Sequence, residues 1–166
     1  NEVINDGSQP VRPQLYVQLV RHGAEPGSKT PFYSTFTGPA FYTDANKFQK
    51  VQFADITEGD AKFPKTAGDG WVAMVQHYFA SAWLLPPNQL REFRVAKVAD
   101  NLYSIAMVVP LGEVAAGGRK TLQSTLFAGP QQENQLAELA PGLDLVKDYG
   151  WFTILAKPLF WLLTQL

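Results

Sequence analysis

Cysteine is absent from this 166-residue chain. That excludes disulfides, thiolate metal sites and cysteine nucleophiles, but it leaves the compartment open, because cysteine-free domains occur in the cytosol and in oxidising spaces alike. Histidine is scarce. His22 and His77 are the only two and lie far apart, with no HxH or HExxH spacing, whereas a zinc site takes three or four ligands. Excess charge of either sign is also missing: Lys+Arg number 14 against Asp+Glu 15, for a net charge of −1. No long basic run appears, so no nucleic-acid footprint is expected. The chain opens Asn1-Glu2-Val3 without a methionine and shows no signal-peptide pattern, so it reads as a piece of a longer protein.

What is present suits one folded domain. Hydrophobic residues make up 46% of the chain and charged residues 17%, enough apolar material for a core. The first ten residues read as loop or a frayed start. Leu15, Val17 and Leu19 alternate with Tyr16, Gln18 and Val20, the period of a strand. Gly23, Pro26, Gly27, Ser28 and Pro31 punctuate a turn-rich stretch. A second extended run covers 32–37 and is broken by Gly38-Pro39. Residues 48–56 (FQKVQFADI) alternate imperfectly and read as a strand, followed by a polar loop over 58–70.

Next comes WVAMVQHYFASAW, 71–83. Its β-branched and aromatic content, bounded by Gly70 and Pro86-Pro87, predicts a strand, and its two apolar faces suit the centre of a covered sheet. Further strands are expected over 92–99, 102–109 and 121–128, with a hairpin turn at Asp100-Asn101. After Gly129-Pro130 the period changes. Leu136, Leu139 and Leu143 fall at helical spacing until Pro141-Gly142 stops the helix. About seven strands followed by helices predict a mainly β, antiparallel sandwich with C-terminal α-helices.

The last segment is unusually apolar. From Trp151 onward the only charge is Lys157, among two Trp, two Phe and six Leu or Ile. A membrane-spanning helix takes roughly 20 apolar residues, and this run is shorter and interrupted by Pro158. Trp151, Phe152, Leu155, Leu159 and Leu162 share one side of a helix, with Ile154, Phe160 and Trp161 around them. Tyr149, Trp151 and Trp161 suit the bilayer–water boundary, and Lys157 can reach head groups. The segment is either a terminal helix buried on the sandwich or a helix lying in a membrane interface.

No catalytic constellation is found. In GEVAAGGRKT, 112–121, Gly117 is followed by Gly118 rather than by lysine, which fails the phosphate-loop pattern; a long hairpin loop is the better reading. Asp55, Glu58 and Asp60 read as a solvated loop. Ser124 lacks nucleophile-elbow glycines. His22 reads as a solvated turn residue and His77 as a mid-strand histidine. Tyr42, Tyr78 and Trp83 are candidates to line a cleft, although core packing explains them more simply.

Several separated stretches resemble one family. They are Gly70–Met74, Gln76, Tyr78-Phe79 and Ala82-Trp83; then Thr125–Phe127 and Gly129-Pro130; then Ala140-Pro141, Leu143–Leu145, Asp148–Trp151 and Pro158–Phe160. In this order they resemble the periplasmic domain of bacterial YidC, the membrane protein insertase. GPAFYT and KFQKVQFADI, within 38–56, fit too. Asp69 stands where the family often has a second glycine, a difference confined to a turn.

The resemblance implies a β-super-sandwich of the galactose mutarotase-like kind. It divides the chain into a partial sandwich (1–128), a helix and connector packed on it (129–147), and an amphipathic interfacial helix leading to the membrane (148–166). It implies the periplasmic face of the inner membrane of a Gram-negative bacterium. The implied partners are the Sec translocon with SecDF, nascent membrane proteins through a transmembrane part this chain lacks, and the membrane surface. No cofactor or enzymatic activity is implied. The expected role is a scaffold and docking module, the alternative being a sugar- or peptide-binding sandwich.

Overall fold

The computed structural model describes residues 1–24 and 36–147. Along the chain these residues form β1 (Glu2–Ile4), β2 (Gln14–His22), β3 (Gly38–Thr43), β4 (Lys47–Lys50), α1 (Phe53–Glu58), β5 (Thr66–Ala67), β6 (Trp71–Val75), β7 (Phe79–Leu84), β8 (Arg91–Ala99), β9 (Leu102–Pro110), β10 (Arg119–Thr121), β11 (Thr125–Pro130), α2 (Glu133–Leu139) and a 3₁₀ turn over Leu143–Val146. A five-stranded sheet runs β11-β7-β6-β3-β4, a four-stranded sheet runs β2-β9-β8-β5, and β1 pairs with β10. Every pairing is antiparallel. The expected mainly β sandwich with C-terminal helical pieces is therefore present.

The five-stranded sheet is the middle of three layers. On β6, Val72 and Met74 meet Phe41, Phe93, Ile105 and Met107 in the core between the two sheets. The alternate residues Trp71, Ala73 and Val75 face the other way and meet Leu136, Leu143 and Val146 of the helical layer. This is why WVAMV is buried at all five positions: period two places side chains on both faces, and both faces are covered. In β2 only one face is covered, and Tyr16 and Val20 remain exposed.

The run over 71–83 is two strands, not one. β6 and β7 form a hairpin whose turn is Gln76-His77-Tyr78, with the Gln76 N–H donating to the Phe79 carbonyl at 2.9 Å. The turn contains no glycine or proline. A side chain from elsewhere holds it: the Gln131 amide donates to the carbonyls of Gln76 at 2.7 Å and Phe79 at 3.2 Å. His77 thus belongs to a turn and not to a strand.

Of the strand expected over 48–56, residues 48–50 lie in β4, but 53–56 belong to the helix α1, which runs on to Glu58 in what was expected as loop. Phe53 and Ile56, three apart, both pack on the inter-sheet core, so the imperfect alternation reflected a helical period. Gly59, at φ +80°, ends the helix.

Gly38-Pro39 opens β3; of the extended run expected over 32–37, residues 32–35 lie outside the described residues. The Pro39 carbonyl accepts the Val51 N–H at 2.9 Å, so its nitrogen faces the same side, beyond the end of β4, and the ladder to β6 is intact. The first ten residues are not loop throughout, because β1 pairs with β10. The buried Asn5 amide donates to the carbonyls of Gln9, Val114 and Ala115, fastening the loop after β9. That loop joins no hairpin: β10 and β11, expected as one strand over 121–128, lie in different sheets, and β11 continues through Gly129 and Pro130. Leu136 and Leu143 are buried as expected, but Leu139 is exposed. Ala140 turns extended at φ −160°, which resets the helical register before Leu143.

Candidate functional site

A cleft of about 170 Å³ opens where β3, β6 and β7 meet the connector after α2. Tyr42, Asp44, Asp69, Leu84, Leu85, Pro87 and Pro141 are among its lining residues. Its base is rigid. Tyr42 stacks on Trp71 with centroids 5.8 Å apart and planes 10° apart, and the Trp71 indole N–H donates to the Pro141 carbonyl at 2.9 Å. Two glycines permit this approach. A β-carbon on Gly142 would run into the Tyr42 ring, and one on Gly70 into the Tyr42 carbonyl; both residues have positive φ.

Below the rim lies Arg91, fully buried. Its guanidinium donates to the carbonyls of Gln89 at 2.9 Å, Gly70 at 2.7 Å, Gly68 at 3.4 Å and Pro86. Burial pushes its pKa down, and the nearby Asp69 carboxylate offsets this in part. Asp69 also accepts the Asp44 N–H at 2.9 Å. One cation therefore gathers two loops, 68–70 and 86–89, at the edge of the cleft, and Asp69 ties the turn after β3 to them. Arg91 does not stand out in the sequence; only its place at the head of a strand, after Pro86-Pro87, distinguishes it.

The predicted cleft residues separate. Tyr42 lines the cleft. Trp83 turns into the inter-sheet core, its indole N–H on the Gln18 carbonyl at 3.1 Å. Tyr78 stands in the β6–β7 turn, at the far end of β6. The interface candidates Tyr149, Trp151, Phe152, Leu155, Lys157, Leu159, Phe160 and Trp161 lie outside the described residues.

At about 170 Å³ the cleft falls short of the roughly 300–1,000 Å³ of small-molecule sites. It has room for about one side chain. Among the described residues its lining includes two carboxylates but no histidine, lysine or serine. Among the described residues no group of three metal-ligating side chains occurs, and no helix is long and apolar enough to cross a membrane. His22 ends β2, its Nδ1 accepting the Ala24 N–H at 3.2 Å. Asp55 lies in α1, where its carbonyl accepts the Asp60 N–H. Ser124 accepts a hydrogen bond from the Asn1 amide.

The chain is 54% identical to the membrane protein insertase YidC of Cupriavidus taiwanensis over 165 residues, which is 99% of this chain and 29% of that protein. It is 52% identical to the insertase YidC of Aromatoleum aromaticum, over 98% of this chain and 30% of that protein. It is 49% identical to that of a Janthinobacterium species, over 100% of this chain and 29% of that protein. The chain thus spans about three-tenths of the length of these relatives. The sequence model of the YidC periplasmic domain matches residues 1–162, and the chain belongs to that family, a domain of the periplasmic face.

Proposed function

We propose that this domain is the periplasmic scaffold and docking module of an inner-membrane protein insertase, coupling a rigid sandwich to the membrane through residues 148–166. The observation that carries the reading is the build of the helical layer. Leu136, Leu143 and Val146 are all fully buried against β6 and β7, and the Trp71–Pro141 hydrogen bond adds a polar tie. Lys147 is therefore delivered from a fixed position on the sheet, and the apolar segment with Tyr149, Trp151 and Trp161 comes next in sequence. A rigid body attached at a fixed point is what positioning a partner requires.

The domain helps its parent protein insert and fold membrane proteins, alone or with the Sec translocon and SecDF. Support for those partners is the family membership. Insertion itself belongs to transmembrane parts outside this chain, so the isolated domain inserts nothing. The cleft beside Tyr42 favours a second, narrower reading: a socket for one side chain of an extended peptide. Calorimetric titration with extended peptides and sugars checks it, and silence at millimolar ligand disposes of it.

The test of the main reading is vesicle flotation. The whole chain is expected to float with vesicles of phosphatidylethanolamine and phosphatidylglycerol. A chain ending at Lys147 should stay in the dense fraction with an unchanged circular dichroism spectrum. Equal flotation of both sinks the interfacial role of 148–166.

A further inference from the structure

Two aromatic side chains at the tip of the β6–β7 hairpin face solvent. Tyr78 is 68% exposed and Phe79 55%. The tip holding them is well fastened. The Gln131 N–H donates to the Tyr78 carbonyl at 2.9 Å, and its side-chain amide holds Gln76 and Phe79. The His77 ring stands edge-on to Tyr78, centroids 4.0 Å apart. The rings are thus presented outward by a fixed backbone.

Position decides what they can touch. Gln131 is two residues from Glu133, which pairs with Lys147 at 3.8 Å. Lys147 is also where the described chain ends and the apolar sequence begins. The hairpin tip, the head of α2 and the departure point of the tail therefore share one pole of the sheet. Leu145, two residues before that point, is exposed as well. The cleft lies at the other end of β6, about 17 Å away for a five-residue strand.

We propose that Tyr78 and Phe79 form a second membrane contact, inserting into the head-group region of the same bilayer that receives residues 148–166. This rests on the interfacial reading of that segment. Tyrosine suits the boundary because its ring is apolar and its hydroxyl stays wet. The polar side chains beside the tip, Gln76 and Gln131, are uncharged, and the Glu133 and Lys147 charges are paired, so little charge has to be desolvated on approach. A single weak anchor holds a protein only marginally, whereas two hold it stably. Two separated contacts also stop the domain swivelling and turn the Tyr42 cleft away from the bilayer.

The absence of cysteine allows a direct test. Tyr78→Cys and, at the cleft end of β11, Thr125→Cys are each labelled with nitrobenzoxadiazole in the full 166-residue chain. The chains are then mixed with phosphatidylethanolamine–phosphatidylglycerol vesicles carrying doxyl-labelled lipid. The label at 78 should shift to the blue and be quenched by the lipid, and that at 125 should not respond. The Tyr78→Ser, Phe79→Ser double variant should partition about tenfold more weakly with an unchanged melting temperature. Flotation of the chain with a silent label at 78 and no loss in the double variant overturns the hairpin contact while leaving the tail reading intact. A chain that fails to float at all overturns both.

Discussion

The two ends of strand β6 use the same kind of side chain in opposite ways. At its start, Trp71 is 2% exposed, stacked on Tyr42, tilted against Phe48 at 6.1 Å and tied to Pro141. Just past its other end, Tyr78 and Phe79 are set out into solvent on a turn secured by Gln131. Aromatic content therefore does not by itself say whether a residue serves the core or a contact. The layer above it decides. The connector after α2 covers the first end, whereas among the described residues the hairpin tip at the second stays exposed. The cleft end is interlocked and intolerant of change, and the hairpin end is free to meet something else.

Substitutions at the two ends put this contrast at risk. Trp71→Ala should have the largest effect, a loss of about 3–5 kcal/mol in urea unfolding, because a cavity opens between sheet and helical layer. Arg91→Met should come second at about 3 kcal/mol, since each buried carbonyl left without a donor costs about 1–3 kcal/mol; its melting transition should fall without loss of the β-sheet spectrum below it. Gly142→Ala should cost about 1–3 kcal/mol, from a positive φ and the collision with the Tyr42 ring. Tyr78→Ser should lie within about 0.5 kcal/mol of the parent. A Tyr78→Ser loss comparable to that of Trp71→Ala would erase the distinction between the two ends. A harmless Gly142→Ala would show that the connector is not locked onto Tyr42.

Much of the sandwich was legible from period alone. Leu15, Val17 and Leu19 alternate as expected in β2, and Asp100-Asn101 marks the β8–β9 hairpin, with Asn101 at φ +47°. The double-faced burial of 71–75 agrees with its unbroken apolar run. Punctuation misled. The β6–β7 turn has no turn residue of its own, because Gln131, far along the chain, supplies its hydrogen bonds. Gly38-Pro39 carries the residues of a break but sits where the missing N–H costs the ladder nothing. Of the cleft candidates, Tyr42 lies along the cleft and Trp83 in the inter-sheet core. Both are aromatic residues in strands, and which face each turns to depends on register against a partner strand. Arg91 went unseen because its ligands are backbone carbonyls of two loops, and backbone carbonyls leave no trace in a sequence.

The linear order of residues was enough to establish the family, the dominance of strands, the change to helix after Pro130 and the apolar character of the last residues, because these depend on composition and on patterns a few residues long. Folding alone settled which strands pair, which aromatics are covered, that Arg91 is enclosed by carbonyls, and that the hairpin tip shares a pole with Lys147. Those outcomes rest on contacts between residues tens of positions apart, where burial of one side chain depends on what the rest of the chain lays over it.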